Sequence, residues 1–194
     1  MKNILITGAN GQLGNEMRVL STEHPEYTYF FTDVQELDIC DEQAVMNFVQ
    51  DNAIDCIVNC AAYTAVDKAE ECVELCDKLN HVAPGYLAKA AASCNAALIQ
   101  VSTDYVFDGT NHIPYRETEP TCPNSVYGRT KLAGEEEAMK QCSRTMIIRT
   151  AWLYSTFGNN FVKTMIRLGR EKEQSMFKVV IVSGLLTLPP VTKE

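Results

Sequence analysis

A glycine-rich run near the N-terminus limits most strongly which fold the chain can adopt. Residues 8–14 read GANGQLG, a G-x-x-G-x-x-G pattern that directly follows the apolar residues 4–7. A strand that ends in glycines and continues into a helix brings backbone N–H groups and the positive helix end close to a pyrophosphate. Many ordinary loops also contain three glycines, but this context predicts a dinucleotide site at Gly8, Gly11, Gln12, Leu13 and Gly14.

An acidic residue follows the second apolar segment. The strand-like residues 27–32 end at Asp33, about 20 residues beyond the glycines, where a carboxylate can bind both hydroxyls of an adenosine ribose. The same carboxylate would repel a 2′-phosphate, so Asp33 favours NADH over NADPH. A surface turn residue is the alternative interpretation of this position.

Apolar segments alternate with helical ones along the rest of the chain. We predict strands near 2–7, 27–32, 54–60, 96–102 and 145–150, and helices over 12–21, 41–51, 67–93, 125–142 and 159–172. Strands that are apolar on both faces belong to parallel sheets covered by helices, so the expected fold class is α/β, a doubly wound parallel sheet of the Rossmann type. In the usual strand order, the fourth strand lies beside the first.

Composition and charge exclude several classes of protein. At 194 residues and 46% hydrophobic content, the chain can bury one substantial core. A net charge of −8 without a basic stripe argues against a nucleic-acid partner. No apolar run reaches membrane-spanning length and no signal peptide is recognisable, so we expect a cytoplasmic protein with no membrane partner. The cysteines and histidines show no ligand spacing, and we predict no structural metal site.

Two polar segments suggest proton-transfer chemistry. VSTD, residues 101–104, ends the fourth predicted strand, and YGRTK, residues 127–131, places Tyr127 and Lys131 on one face of a helix. A phenol has an ordinary pKa of about 10, which a nearby ammonium lowers, so Tyr127 could exchange a proton at neutral pH. Taken singly, a chance Tyr–Lys pair and an ordinary capping sequence explain the two segments equally well. Their order behind the glycine run favours catalysis.

Longer strings make the chain resemble the extended short-chain dehydrogenases/reductases, and among them the reductases of sugar nucleotides. The strings are GANGQLG at 8–14, AAYTAVDKAE at 61–70, STDYVFDG at 102–109, YGRTKLAGE at 127–135, and RTAWLY at 149–154 followed by GNNF at 158–161. The resemblance implies an NAD(P)-binding Rossmann domain over residues 1–172. It also implies hydride transfer from NADPH or NADH to the C4 ketone of a dTDP-sugar substrate.

The resemblance assigns roles to individual residues. Tyr127 would protonate the C4 oxygen, Thr103 would hydrogen-bond that oxygen, and Lys131 would bind the nicotinamide ribose. The further positions matched to cofactor contacts are Asp38, Ile39, Ala62, Tyr63, Thr64 and Val101, and those matched to the substrate are Thr103, Asp104 and Trp152. A non-catalytic nucleotide-binding or regulatory protein of the same fold is the alternative function.

The resemblance ends near residue 173. Members of the family continue for about 100 residues that supply much of the sugar-nucleotide pocket. Residues 173–194 depart from the family pattern, so we expect a divergent tail, either read out of frame or natural to a short variant, and impaired turnover. Glu16 matches a position that contributes to a magnesium-bridged dimer in some relatives, which leaves Mg²⁺ and a homodimer as open expectations.

Overall fold

A computed structural model of the protein describes residues 2–171 as a parallel β-sheet with flanking helices. The five strands are β1 (Lys2–Thr7), β2 (Tyr27–Thr32), β3 (Cys56–Asn59), β4 (Ala97–Thr103) and β5 (Thr145–Thr150). All neighbouring strands pair in parallel, in the order β2-β1-β3-β4-β5. The predicted α/β doubly wound class is therefore confirmed. The predicted tail at 173–194 lies outside the described residues.

The order of the strands corrects one expectation. β1 pairs with β2 along one edge and with β3 along the other, so Thr7 faces both Thr32 and Asn59. Strands β2 and β3 thus occupy both edges of β1, and β4 pairs with β3 and β5. The prediction that the fourth strand lies beside the first is wrong. The chain changes direction across the sheet between β1 and β3, which is the switch point where doubly wound sheets bind ligands.

Seven α-helices connect or follow these strands in the described part of the chain. Their bounds are α1 (Gln12–Ser21), α2 (Glu42–Asp51), α3 (Val66–Ala69), α4 (Val73–Asp77), α5 (Ala83–Ser93), α6 (Val126–Gln141) and α7 (Phe161–Glu171). Three begin at side-chain caps: the Asp41 carboxylate accepts the Ala44 N–H, the Ser125 hydroxyl accepts the Gly128 N–H, and the Asn160 side-chain oxygen accepts the Lys163 N–H. Such caps satisfy N–H groups that a helix start leaves unpaired.

The sequence predicts one helix over 67–93, with a break or tightened turn at Pro84, and the structure interrupts this helix twice. The structure breaks it into α3, α4, a π-helical turn at Lys78–Val82, and α5. Pro84 gives the physical reason for the π-helical turn, because it has no N–H for the carbonyl of Asn80 four residues earlier. The Asn80 carbonyl packs against Gly134 of α6 instead, so closely that a Cβ on Gly134 would lie 2.0 Å from it. The break therefore sets how α6 approaches the sheet.

The hydrophobic core lies beside the sheet and fixes its strands. Leu5, Ile57 and Leu98 of adjacent strands are fully buried and pack with side chains of α2 and α5. Burial of each such side chain contributes about 1.5–3 kcal/mol relative to exposure. At the carboxyl ends of the same strands the apolar residues give way to polar ones, which is where the sheet can hold a ligand.

Candidate active site

The glycine loop folds tightly between β1 and α1. Gly8 has a φ of +62°, and a Cβ there would lie 2.7 Å from the Ala61 backbone. A Cβ on Gly14 would lie 2.4 Å from the Gly8 carbonyl oxygen, so this glycine lets α1 approach the loop. Gly11 is the N-cap of α1 and has more room, with 3.1 Å to that same oxygen. Gly8 and Gly14 therefore serve packing, while Gly11 leaves the positive helix end accessible.

A cleft of about 540 Å³ extends from the glycine loop to α6, along the carboxyl ends of the central strands. The predicted site residues that line it are Gly11, Gln12, Leu13, Ala62, Thr64, Val101, Thr103, Asp104, Tyr127, Lys131 and Trp152. Candidate catalytic, cofactor and substrate residues from distant parts of the sequence thus share one cavity.

A row of buried polar side chains holds the strand ends beneath this cleft. The Thr7 hydroxyl donates to the Asn59 side-chain oxygen at 2.6 Å, and the Asn59 amide donates to the Gln100 side-chain oxygen at 2.8 Å. These residues stand opposite one another on β1, β3 and β4. Because each is almost completely buried, the bonds fix the register of the strands that carry the cleft.

The remaining predicted cofactor residues do not line the cleft, for different reasons. Ile39 is 6% exposed and belongs to the hydrophobic core, while the Asp38 carboxylate accepts the Cys40 N–H at 2.9 Å. The backbone of Tyr63 is held by the Asn80 side chain, which accepts the Tyr63 N–H at 2.8 Å and donates to its carbonyl at 3.1 Å. Gly8 packs against the backbone of Ala61, and Gly14 packs against the backbone of Gly8 and Ala9.

Asp33 also lies outside the cleft and ties the end of β2 to the glycine loop. One carboxylate oxygen accepts the Asn10 N–H at 3.0 Å, and the other accepts the Val34 N–H at 2.9 Å. The Asp33 N–H in turn donates to the Glu36 carboxylate at 2.9 Å. Since a carboxylate oxygen has two lone pairs, Asp33 retains acceptor capacity for ribose hydroxyls.

Thr103, Tyr127 and Lys131 meet at the end of β4. Thr103 and Tyr127 are largely buried, and the Tyr127 ring packs edge-to-face on Tyr105 with centroids 5.6 Å apart. Lys131 Nζ donates to the Val101 carbonyl oxygen at 2.6 Å. Burial lowers the pKa of the Lys131 ammonium from 10.5 to about 8, against the opposing charge of Glu135.

The phenol of Tyr127 differs from the prediction. Burial raises its pKa above the ordinary value, and the opposing hydrogen bond with Thr103 has a smaller effect. The predicted lowering of this pKa by Lys131 is therefore not found, and the Lys131 ammonium donates to the Val101 carbonyl. A phenol with a raised pKa stays protonated at neutral pH, which is the form that can donate a proton to an alkoxide.

Asp104 and Trp152 lie where the cleft meets a second cavity of about 490 Å³. Trp152 is 56% exposed, has a φ of +55°, and packs edge-to-face on Phe161 with centroids 5.1 Å apart. A half-exposed indole at a cavity rim presents an apolar face on which a flat ring can stack. Both residues thus face the open side of the site.

Sequence reasoning missed several residues of the cleft wall. Val66, Tyr105, Leu153, Gly158 and Asn159 also line it. The Asn160 amide donates to the Gln12 side-chain oxygen at 2.9 Å, which joins the segment after β5 to the start of α1 across 148 residues. The GNNF string was the signal for this segment, but its spacing alone does not indicate that it reaches the glycine loop.

Residues 2–171 contain no group of three or more His, Cys, Asp or Glu side chains placed to hold a metal ion. Over the same residues, none of the helices is both long and apolar enough to cross a membrane. Glu16 lies on α1. The expectations of Mg²⁺ and of a homodimer stay predictions.

The sheet order and the glycine loop at its switch point define a Rossmann-type nucleotide-binding protein. The family model described as the RmlD substrate binding domain matches residues 1–181, and the chain belongs to this family. The family assignment agrees with the resemblance found in the sequence strings, but the match continues to residue 181, past the expected end near residue 173.

Named relatives make the comparison more specific. The dTDP-4-dehydrorhamnose reductase of Salmonella typhimurium is 43% identical over 175 residues, which cover 88% of this chain and 58% of the relative. A crystal structure of a dTDP-4-dehydrorhamnose reductase from Clostridium acetobutylicum is 48% identical with a TM-score of 0.84, covering 87% of this chain and 60% of that one. The enzyme of the same name from Bacillus anthracis, solved in complex with NADP, is 41% identical with a TM-score of 0.86 and coverages of 89% and 62%. The chain therefore spans about six tenths of the length of these relatives.

Proposed function

We propose that this chain binds NADPH or NADH in the cleft and carries the catalytic residues of a dTDP-4-dehydrorhamnose reductase. The reaction is reduction of the C4 ketone of dTDP-4-dehydro-6-deoxy-L-mannose to give dTDP-L-rhamnose. The observation that carries the proposal is that Thr103, Tyr127 and Lys131 line one cleft together with the glycine loop. The names of the relatives, and the NADP bound in the Bacillus anthracis structure, support it.

The shape of the cleft fits a nicotinamide dinucleotide. At one end, the first turn of α1 offers its N-terminal N–H groups to a pyrophosphate at residues 12 and 13. Small side chains at Ala61 and Ala62 leave room beside it. At the other end, Lys131 and Tyr127 supply a cation and a proton donor. The dinucleotide, when bound, supplies the hydride.

Side chains of the cleft would donate the proton and stabilise the charge that develops on the carbonyl oxygen. The raised pKa of Tyr127 keeps its phenol protonated, so it can donate to the carbonyl oxygen as the oxygen gains negative charge. The Thr103 hydroxyl stands next to the phenol and can hydrogen-bond the same oxygen. To reach a ribose, the Lys131 ammonium would give up or share its bond to the Val101 carbonyl.

We assign the sugar-nucleotide site and the adenosine site from where the candidate residues lie in the structure. We place the sugar nucleotide at Asp104 and Trp152, where the two cavities meet. Asp33, with its free lone pairs, is the proposed acceptor for the adenosine ribose. Its charge favours NADH, whereas the Bacillus anthracis relative holds NADP, so both cofactors are retained. A cytoplasmic location and a homodimer complete the proposal.

Tyr127→Phe tests the catalytic part. The change removes the proton donor alone, so turnover of the dTDP-sugar should fall by about 100-fold or more. Nucleotide affinity, measured by calorimetry with NADPH, should stay close to that of the wild type. Tyr29→Phe is the matched control, since Tyr29 lies on β2, outside the cleft.

Two results would contradict the proposal in different ways. Full reductase activity of Tyr127→Phe would remove Tyr127 from the mechanism. Tight NADPH binding by the wild type without turnover at any substrate concentration would favour the non-catalytic nucleotide-binding alternative. The presence of all three candidate catalytic side chains in one cleft favours the enzyme.

A further inference from the structure

A buried ionic cluster lies next to the candidate catalytic residues. It consists of Ser102 on β4, Glu135 on α6 and Arg149 on β5, and we refer to it as the Glu135 cluster. The Ser102 hydroxyl donates to Glu135 Oε1 at 2.5 Å, and Arg149 Nη2 donates to Glu135 Oε2 at 2.6 Å. The Glu135 side chain is 1% exposed. A carboxylate so deeply buried is costly unless its partners satisfy it fully, as they do here.

The cluster holds the strand end that carries Thr103. Lys131 and Glu135 are one helical turn apart on α6. Lys131 donates to the carbonyl of Val101, while Glu135 accepts from the side chain of Ser102. Helix α6 thus binds two successive residues of β4 immediately before Thr103. A shift of the helix along the strand would break both bonds and move Thr103 relative to Tyr127.

We propose that Glu135 is a positioning residue for the reaction, holding the Thr103-bearing end of β4 against α6 and placing a negative charge one helical turn from Lys131. The inference rests on the proposed function for the roles of Thr103 and Lys131. No part of it requires Glu135 to touch the substrate or the nucleotide.

The charge of Glu135 bears directly on Lys131. Burial lowers the pKa of Lys131 to about 8, and the Coulomb attraction of Glu135 opposes this lowering, as does Cys76 on α4 to a smaller degree. The other titratable groups at the same cleft are Cys60 after β3, Tyr127 on α6, and Asp104 and Tyr105 after β4. Since the ammonium titrates close to neutral pH, losing one adjacent negative charge would leave much of it neutral.

Arg149 extends the cluster toward the substrate side. Its guanidinium lies over the Phe107 ring, 5.1 Å from the centroid, and Phe107 stacks on Tyr115 with centroids 4.3 Å apart. Phe107 lines the cavity that contains Asp104 and Trp152. The carboxylate of Glu135 therefore connects the catalytic helix with the wall of the proposed sugar site.

Glu135→Gln tests the inference, because it keeps the shape of the side chain and removes its charge. We expect the titration midpoint of Lys131, followed by the ¹³Cε chemical shift in lysine-labelled protein, to fall by about one pH unit or more. The Lys131 signal is assigned with Lys131→Arg. NADPH affinity at neutral pH should weaken by about tenfold. Glu137→Gln, the same change where α6 packs on Gly85 of α5 and Glu137 pairs with Lys140, should leave the midpoint where it is.

The two measurements separate this inference from the proposed function. If the chain does not bind NADPH, the proposed function is refuted. The chemical-shift titration needs no nucleotide, so the titration midpoint of Lys131 still tests the role of Glu135. Should Glu135→Gln not fold, the double variant Glu135→Gln with Arg149→Met removes both charges without leaving an unpaired ion, and the same fall is expected. An unchanged midpoint in a folded variant would overturn the inference.

Discussion

Replacing Gly14 with alanine should damage the fold and the nucleotide site together, because α1 has no room to accept a methyl group there. A Cβ at this position would lie 2.4 Å from the Gly8 carbonyl oxygen, 2.5 Å from Ala9 Cα and 2.7 Å from the Ala9 carbonyl carbon. All three are backbone atoms of the loop, so no side chain can rotate out of the way.

The size of the effect follows from these distances. Ordinary van der Waals contacts begin near 3.4 Å, so α1 or the loop must move by roughly 1 Å to relieve the closest contact. Overpacking of this kind typically lowers the free energy of unfolding by about 1–3 kcal/mol. Because the atoms in contact here belong to the backbone, we expect Gly14→Ala to lower it by about 3 kcal/mol. For a chain of this length, that corresponds to a fall in Tm of roughly 6–12 °C.

Thermal unfolding by circular dichroism measures this loss, and NADPH calorimetry measures the site. Gly169→Ala is the control, since a Cβ on that glycine meets nothing within 4 Å in the described structure. Gly11→Ala separates the two effects: it should fold normally with its 3.1 Å contact, yet bind NADPH more weakly because its methyl group enters the pyrophosphate path. A Gly14→Ala chain with the Tm and affinity of the wild type would refute the packing argument.

Two further substitutions test Lys131 in the cleft and Asp33 at the proposed adenosine site. Because burial lowers the pKa of Lys131 from 10.5 to about 8, the unfolded chain binds more protons than the folded chain between these pH values, and this lysine makes stability rise with pH across that window. Lys131→Met removes this contribution. Between pH 8 and 10.5, the free energy of unfolding of the wild type, measured in urea, should therefore rise by up to about 3 kcal/mol relative to that of the variant. An equal pH dependence of stability in the two proteins would contradict this prediction. Asp33→Ala removes the carboxylate at the adenosine end, and calorimetry with both cofactors should show the preference moving toward NADPH; because Asp33 also accepts the Asn10 N–H, weaker binding of both with an unchanged ratio would assign it to loop support alone.

The sheet could be predicted from the sequence because its signals are local. Each strand is a short run rich in apolar residues, so β1, β2 and β5 begin and end where predicted, although the outer strands β2 and β5 are not buried on both faces. The glycine spacing likewise gives the helix start at Gln12. The grouping of Thr103, Tyr127 and Lys131 in one cleft also follows from the sequence, since carboxyl ends of parallel strands meet at one edge.

The features that the sequence did not predict depend on contacts between distant residues. The π-helical turn forms where Pro84 frees a carbonyl and Gly134, fifty residues later, makes room for it. The bond between Asn160 and Gln12 joins elements at opposite ends of the described chain. The pKa of Tyr127 rises because of burial, and burial is a property of the packed structure rather than of the spacing between Tyr127 and Lys131.

The two polar networks beneath the cleft explain why the site can be both buried and well ordered. Polar side chains at Thr7, Asn59 and Gln100 would destabilise the sheet if any partner were missing, since an unpaired buried group costs about 1–3 kcal/mol. Within residues 2–171, every buried side-chain nitrogen and oxygen has a hydrogen-bond partner. The Thr7–Asn59–Gln100 row fixes β1, β3 and β4 relative to one another, and the Glu135 cluster fixes α6 relative to β4 and β5. Hydride transfer requires reacting atoms held to within a fraction of an ångström, and these bonds restrict the motions that would separate the glycine loop from Tyr127.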